Sequence, residues 1–325
     1  ILPIIDKVCF LGGEILQTRT HLKGVIYASL AGIFWGMAGI ASEYLFQDQH
    51  VSVYWMMGVK MSLSALTLLG LAYYLDGKKI FLVFKSFKDI LGIVLFSILG
   101  LAGVQFTYSM TVNYSNATVA TIIQTLGILP VIFYSAIIFK QLPGRKQWIA
   151  TITALIGAWL LVTKGSFNQL AISKEAIIWG IFLMLTQAGN SVLPVDLLRR
   201  HNPTTISAWA MLVGGIVFEF IHPVWKSVPK FTPAVSLNML FLIFIGTALS
   251  YYLFVKSLHL ISATEATLLD TFEPLTAALL DFLIFKMQFN WAEILGSLLV
   301  ISTVFILAVG SEENKNSDPQ KEPLK

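Results

Sequence analysis

Apolar residues along this chain fall into ten blocks of roughly 20, each long enough to cross about 30 Å of hydrocarbon as a helix. The blocks run over residues 24–46, 53–74, 90–111, 117–139 and 148–163, then 176–197, 205–221, 237–258, 263–285 and 291–309. Inside a bilayer every backbone N–H and C=O must find its partner within the protein, so apolar blocks of this length predict helices. The pattern therefore predicts an all-α polytopic membrane protein of ten transmembrane helices, with no connection long enough to hold a soluble domain. Residues 1–22 carry apolar pieces interrupted by Asp6 and Glu14 and are expected to form an interfacial helix or a disordered extension. Residues 311–325 are polar, contain Pro319 and Pro323, and read as a disordered tail.

The second five blocks repeat the first five. With Gly100 set against Gly246, Ala117-Thr118 meets Ala263-Thr264, Ala120-Thr121 meets Ala266-Thr267, and Gln124 meets Asp270. Ile138-Phe139-Lys140 meets Ile284-Phe285-Lys286 at the same offset. A unit of five spans leaves the membrane on the face opposite to the one it entered, so the second unit runs inverted. The expected organisation is one five-helix repeat over 23–164, a connecting loop over 165–175, and an inverted five-helix repeat over 176–310. Inverted repeats mark secondary transporters with a site near the bilayer midplane.

Composition agrees with the pattern: 56% of residues are hydrophobic and 12% charged, with a mean hydropathy of +0.76, against about 25% charged in soluble domains. The net charge of +4 does not imply nucleic acid, because the basic residues sit in short loops where they set topology. Of the 22 Lys and Arg, Lys60 lies inside a block. Lys164, Lys174, Lys226, Lys230 and Lys286 fall on one side of the membrane and the remaining sixteen on the other. The positive-inside rule then predicts both termini in the cytoplasm. Cys9 is the sole cysteine, so no internal disulfide can form.

Ionisable groups within the bilayer are costly and are functional candidates by default. Counted from Ser262 at 1.5 Å per residue, Asp270 lies about 12 Å and Glu273 about 16 Å into the ninth block, three residues apart on one helical face. Pro274 removes the hydrogen bond to the Asp270 carbonyl, and Pro130 does the same to the Leu126 carbonyl beyond Gln124. Broken helices of this kind border substrate sites in transporters. Asp281, about 28 Å along, is expected at a solvated helix end. Lys60 lies about 10 Å from Val53. It is either a snorkelling lysine or a counter-charge to Glu273, to Glu43 or to an anionic substrate. Trp35, Gln105, Tyr108, Gln187, Asn190, Trp209, Tyr251 and Tyr252 lie within blocks and are candidates for a cavity lining. The alternative for each is helix packing. Ser262-Ala263-Thr264-Glu265 fits a capping box, with Asn116 as the equivalent cap at the fourth block. No HExxH, GxSxG or phosphate-binding loop occurs, and the five histidines are isolated. No catalytic group, metal or cofactor is therefore expected.

The chain resembles the drug/metabolite transporter superfamily in its EamA-like branch. The resemblance covers residues 24–310 and rests on ten spans in two halves, Phe34-Trp35-Gly36, Lys60 where relatives often carry arginine, and Ser262-Ala263-Thr264-Glu265-Ala266 followed by Glu273-Pro274. One departure is clear: relatives commonly carry Gly-Glu after the fourth and ninth spans, where this chain has Phe139-Lys140 and Phe285-Lys286. The resemblance implies alternating access without ATP, polar metabolites or drugs as substrates, and a bacterial inner membrane.

These readings converge on a secondary transporter of a small polar or amphipathic metabolite, an amino acid first, with Asp270 or Glu273 as carrier of a coupling proton. Small-molecule substrate, membrane lipids and protons are the expected partners, and a homodimer is compatible with the chain. The rival within the class is an exporter of drugs or organic cations, since aromatic faces and carboxylates suit a cation. From other classes, a receptor or scaffold lacks an exposed region for partners. An intramembrane hydrolase would need Asp270 and Asp281 together, and they stand about 16 Å apart along one helix.

Overall fold

The computed structural model describes residues 2–139, 144–166 and 172–316, with side chains described for 20–138, 144–166, 172–262 and 265–307. Lys140, the predicted partner of Lys286 in the repeat, lies outside the described residues, as does the end of the tail from 317. Among the described residues all regular structure is helical, with no strand.

Among the described residues, eight helices are long and apolar enough to cross a membrane: α1 (Thr20–Asp48), α2 (Val53–Lys85), α3 (Phe87–Tyr114), α4 (Ala117–Ile138), α5 (Arg145–Thr163), α6 (Lys174–Leu198), α7 (Pro203–Ile221) and α8 (Pro233–Ser257). The backbone of α1 continues upstream, as one helix over Leu2–Glu43. The ninth apolar block is divided into α9 (Ala263–Leu269) and α10 (Phe272–Ile284). The tenth is α11 (Trp291–Asn316), whose apolar part is Trp291–Leu307.

Helix starts follow the capping residues. The side chains of Ser52, Ser86, Asn116, Ser173, Asn202 and Thr232 each accept a backbone N–H of the first turn, and Pro203 and Pro233 occupy first helical positions. Ser262 and Glu265 form the predicted capping box of α9. The connection expected after the second block is a 3-10 helix, Gly77–Lys85, entered at a Gly77 φ of 58°. Ile80 and Val83 face inward there, as the three-residue repeat of that helix requires.

The two halves carry matching irregularities. A π-helical turn occupies Ser97–Leu101 in α3, and another occupies Phe241–Leu249 in α8. Within α4 the helix breaks between Ala117–Thr125 and Ile128–Phe139, and the ninth block breaks between Leu269 and Phe272. The packing pairs match as well. Helix α1 packs on α8, α9 and α10, while α6 packs on α3 and α4. Helix α2 lies along α7, and α5 along α11. The α5–α11 crossing is closed by a glycine pair: a Cβ on Gly157 would stand 2.7 Å from the Gly296 carbonyl oxygen, and the reverse holds at the same distance. The largest apolar core joins α2, α3, α7 and α8 through Met56, Met57, Met61, Leu101, Met211 and Leu242.

Candidate functional site

The two broken segments, α4 and α9–α10, meet at a polar cavity in the centre of the bundle. One lobe, about 330 Å³, is lined by Trp35, Lys60, Gln105, Tyr108, Gln124, Gln187, Asn190, Tyr251, Asp270 and Glu273, among others. A second lobe, about 380 Å³, shares Gln124, Gln187, Asp270 and Glu273 with the first and extends along Ile128, Val131, Val304 and Leu307. The second lobe brings repeat-equivalent positions face to face: Thr121 with Thr267, Gln124 with Asp270, and Gly127 with Glu273.

Close approach of the backbone builds this arrangement. A Cβ on Gly36 of α1 would stand 2.6 Å from the Glu273 carbonyl oxygen, and a Cβ on Gly127 of α4 would stand 2.5 Å from the Gln187 side chain. Glycine at both positions lets α1 and α6 reach the breaks. The carbonyls freed by the prolines are taken up by tight turns: the Leu129 N–H donates to the Leu126 carbonyl at 2.9 Å and the Glu273 N–H to the Asp270 carbonyl at 2.9 Å. The break in α9–α10 thus presents the carboxyl groups of Asp270 and Glu273 to the cavity, and the break in α4 presents Gln124, the amide counterpart of Asp270.

Lys60 is 5% exposed and its ammonium donates to the Gln105 amide oxygen at 2.7 Å. Among the described residues no carboxylate forms an ion pair with it. Its partner is therefore an amide rather than Glu273 or Glu43. Asp270 Oδ1 and the Tyr108 hydroxyl are buried without a hydrogen-bond partner. Trp35 stands edge-on to Tyr251 at 5.3 Å and tilted against Phe254 at 5.3 Å. Two of the aromatic candidates lie elsewhere. Tyr252 is absent from the lining and holds its ring 5.6 Å from the Lys256 ammonium, and Tyr251 takes the cavity position. Trp209 donates to the Ile80 carbonyl at 2.9 Å and packs on Phe81 and Phe84.

The bundle end that carries the start of α4 is closed. Glu43 accepts the Ala117 N–H at 2.6 Å, and Asp281 accepts the Thr118 N–H at 3.1 Å and the Thr118 hydroxyl. Gln47 donates to the carbonyls of Val112 at 3.1 Å and Ser115 at 2.7 Å. This corrects the expectation for Asp281, which is 0% exposed and not at a solvated end. A depth count treats its helix as isolated, whereas α1 and the α3–α4 turn cover it and the positive end of α4 supplies its donors. Pairing of Glu43 with Asp281 around α4 was missed because it joins residues of three separate segments. The one local signal was Asn116 capping a helix start, where carboxylates are favoured.

The EamA-like transporter family matches this chain twice, over residues 22–163 and 174–309. The chain belongs to the EamA-like transporter family. It is accordingly a multi-pass membrane protein of a transporter family, and the receptor, scaffold and hydrolase readings find no support in that membership. Similar proteins include the uncharacterized inner membrane transporter YicL of Salmonella typhimurium, 31% identical over 89% of this chain and 96% of the relative. The uncharacterized transporter YwfM of Bacillus subtilis is 25% identical over 64% of this chain and 70% of its own. Protein PecM of Dickeya dadantii is 24% identical over 58% and 64%. A solved crystal structure superposes with a TM-score of 0.60 at 12% identity, covering 90% of this chain and 98% of that one. At that identity the likeness shows the fold alone.

Proposed function

We propose that this EamA-family member is a secondary active transporter that moves a small zwitterionic metabolite, an amino acid first, by alternating access. The observation that carries the reading is one buried cavity holding the Lys60 ammonium and the Asp270 and Glu273 carboxyl groups with no ion pair between the two signs. A ligand carrying both an ammonium and a carboxylate completes both halves of such a site, and Trp35 and Tyr251 offer faces for its apolar part. Ten spans in two inverted five-helix repeats are part of the reading. It is supported by the double family match, the paired π turns, the paired breaks and the mirrored packing of α1 and α6. The distribution of Lys and Arg supports an orientation with both termini in the cytoplasm. The sealed end of the bundle then faces outward, the second lobe leads inward, and the membrane is the bacterial inner membrane that the name of YicL carries.

The test is substrate flux in proteoliposomes with and without a pH gradient, for the wild type and Asp270→Asn. Gradient-driven accumulation of an amino acid, lost in Asp270→Asn, is the expected result. Equal gradient-driven flux in both proteins removes Asp270 from coupling. A second reading, export of an organic cation, draws on the unpartnered Asp270 oxygen beside aromatic rings. Resistance to toxic cations that is lost in Glu273→Gln would favour it.

A further inference from the structure

The carboxyl groups that close the bundle end have no part in the cavity just described, and their geometry asks for a ligand of its own. Glu43 and Asp281 accept the N–H groups of two consecutive residues, Ala117 and Thr118. They are 3% and 0% exposed. Among the described residues no Lys, Arg or His pairs with either. Two buried carboxylates on adjacent amides, without a cation, repel each other when both are charged, and the inexpensive solution is one proton held by the pair. A separate observation points the same way: Asp281 Oδ1 is fully buried and receives no N–H or hydroxyl donor, while the Glu43 and Asp281 carboxyl groups lie within hydrogen-bonding reach of each other.

We propose that Glu43 and Asp281 form a proton-binding site at the seal, and that loss of this proton opens the outer end of the cavity. The proposal rests on the alternating-access reading. The titratable groups facing the pair are few. Asp48 approaches from α1 and Tyr108 from α3, while α4 contributes only N–H groups and the Thr118 hydroxyl. Glu273 lies about two turns deeper than Asp281 and meets the same tyrosine. With the proton in place the pair carries one negative charge, matched to the positive end of α4. When the proton leaves, a second negative charge appears between α1 and α10 with no cation to absorb it, and the two helices are driven off the α4 start. Tyr108 joins seal to cavity. It lines the cavity, and its hydroxyl lies against Gly39 beside Ala117, so a Cβ at Gly39 would collide with it.

The experiment uses a thiol reporter at Ser42, which lines the cavity next to Glu43 and is 3% exposed. In a Cys9→Ser background, Ser42→Cys is labelled in proteoliposomes with a membrane-impermeant reagent applied from either side at matched pH. The ratio of outer to inner labelling cancels the pH dependence of the thiol itself. The expected ratio rises with pH by up to about tenfold per unit, the limit for release of one proton. Glu43→Gln and Asp281→Asn, which keep an acceptor oxygen for α4, are each expected to flatten it. A slope that survives in both variants overturns the proposal, as does a ratio set by sodium at constant pH. Labelling from both sides with a flat wild-type ratio removes this site and leaves alternating access standing. Labelling from one side only, at every pH, removes both.

Discussion

Gly36→Ala is the sharpest probe of how the site is built. An added Cβ would stand 2.6 Å from the Glu273 carbonyl oxygen, 2.7 Å from Thr276 Cβ and 3.1 Å from the Ala277 nitrogen. Two of these are backbone atoms of α10 and cannot rotate away. Ordinary contact begins at 3.4 Å, so α1 must withdraw by about 0.8 Å. Overpacking of this kind costs about 1–3 kcal/mol, against the roughly 0.5–1 kcal/mol that alanine contributes to a helix interior over glycine. Gly70→Ala in α2 is the control, because a Cβ there meets nothing within 4 Å and only the helix term acts. Melting of the detergent-solubilised variants should place Gly36→Ala below Gly70→Ala by about 2–12 °C, taking roughly 2–4 °C per kcal/mol. Flux should separate them further. The displaced helix carries Trp35 into the cavity, and a misplacement near 1 Å at a preorganised site costs up to about 100-fold. Equal melting and equal flux in the two variants would refute the claim that α1 touches the break in α9–α10 through this glycine.

Three further outcomes follow from the same geometry. Gln105→Leu strands the Lys60 ammonium in a buried site and is expected to destabilise the protein by about 1–3 kcal/mol, with part of the loss recovered in Lys60→Met/Gln105→Leu. The comparison is read by thermal melting. Tyr251→Phe should weaken substrate affinity by about 3- to 10-fold, the worth of one hydrogen bond, while Tyr252→Phe leaves it unchanged. A binding titration of both decides which tyrosine faces the ligand. Glu265→Ala removes the cap on the Ser262 N–H at 2.9 Å and the contact to His21 at 2.8 Å. It should cost about 1 kcal/mol of stability without altering substrate affinity.

Much of this architecture is legible in the residue pattern because a bilayer admits few solutions. An apolar block of 20 must be a helix, and capping residues such as Ser52, Asn116 and Ser262 fix where each one starts. Asp270, Glu273 and Lys60 stand out for the same reason: charge within an apolar block has few harmless places. Less legible was which side of a helix faces inward. Tyr251 and Tyr252 are adjacent, and the π turn over Phe241–Leu249 shifts the phase of every residue after it, so periodicity alone cannot choose between them. Least legible was the seal. Glu43 and Asp281 become partners only when α1 and α10 converge on α4, and no local pattern encodes a meeting of three segments.

On the alternating-access reading, the seal also bears on how the two ends of the bundle differ. Under the proposed repeat, the start of α4 corresponds to the start of α9: Asn116 to Ser262, Ala117 to Ala263 and Thr118 to Thr264. Asp281 then corresponds to Ser135. The two ends are thus not chemically equal. At one, two buried carboxyl groups from α1 and α10 hold the helix start. At the other, Glu265 of the same helix caps Ser262 locally, and Ser135 is only half-buried. Beyond that local cap, Glu265 reaches α1 only through an exposed contact to His21 at 2.8 Å, so under the alternating-access reading that end parts more easily than the one held by the buried carboxyl pair. Two near-copies of one unit would make the two facing states nearly equal in energy. Under the proposed proton site, a carboxyl at Asp281 where the other copy has Ser135 gives the two states different strengths and makes one of them answer to protons.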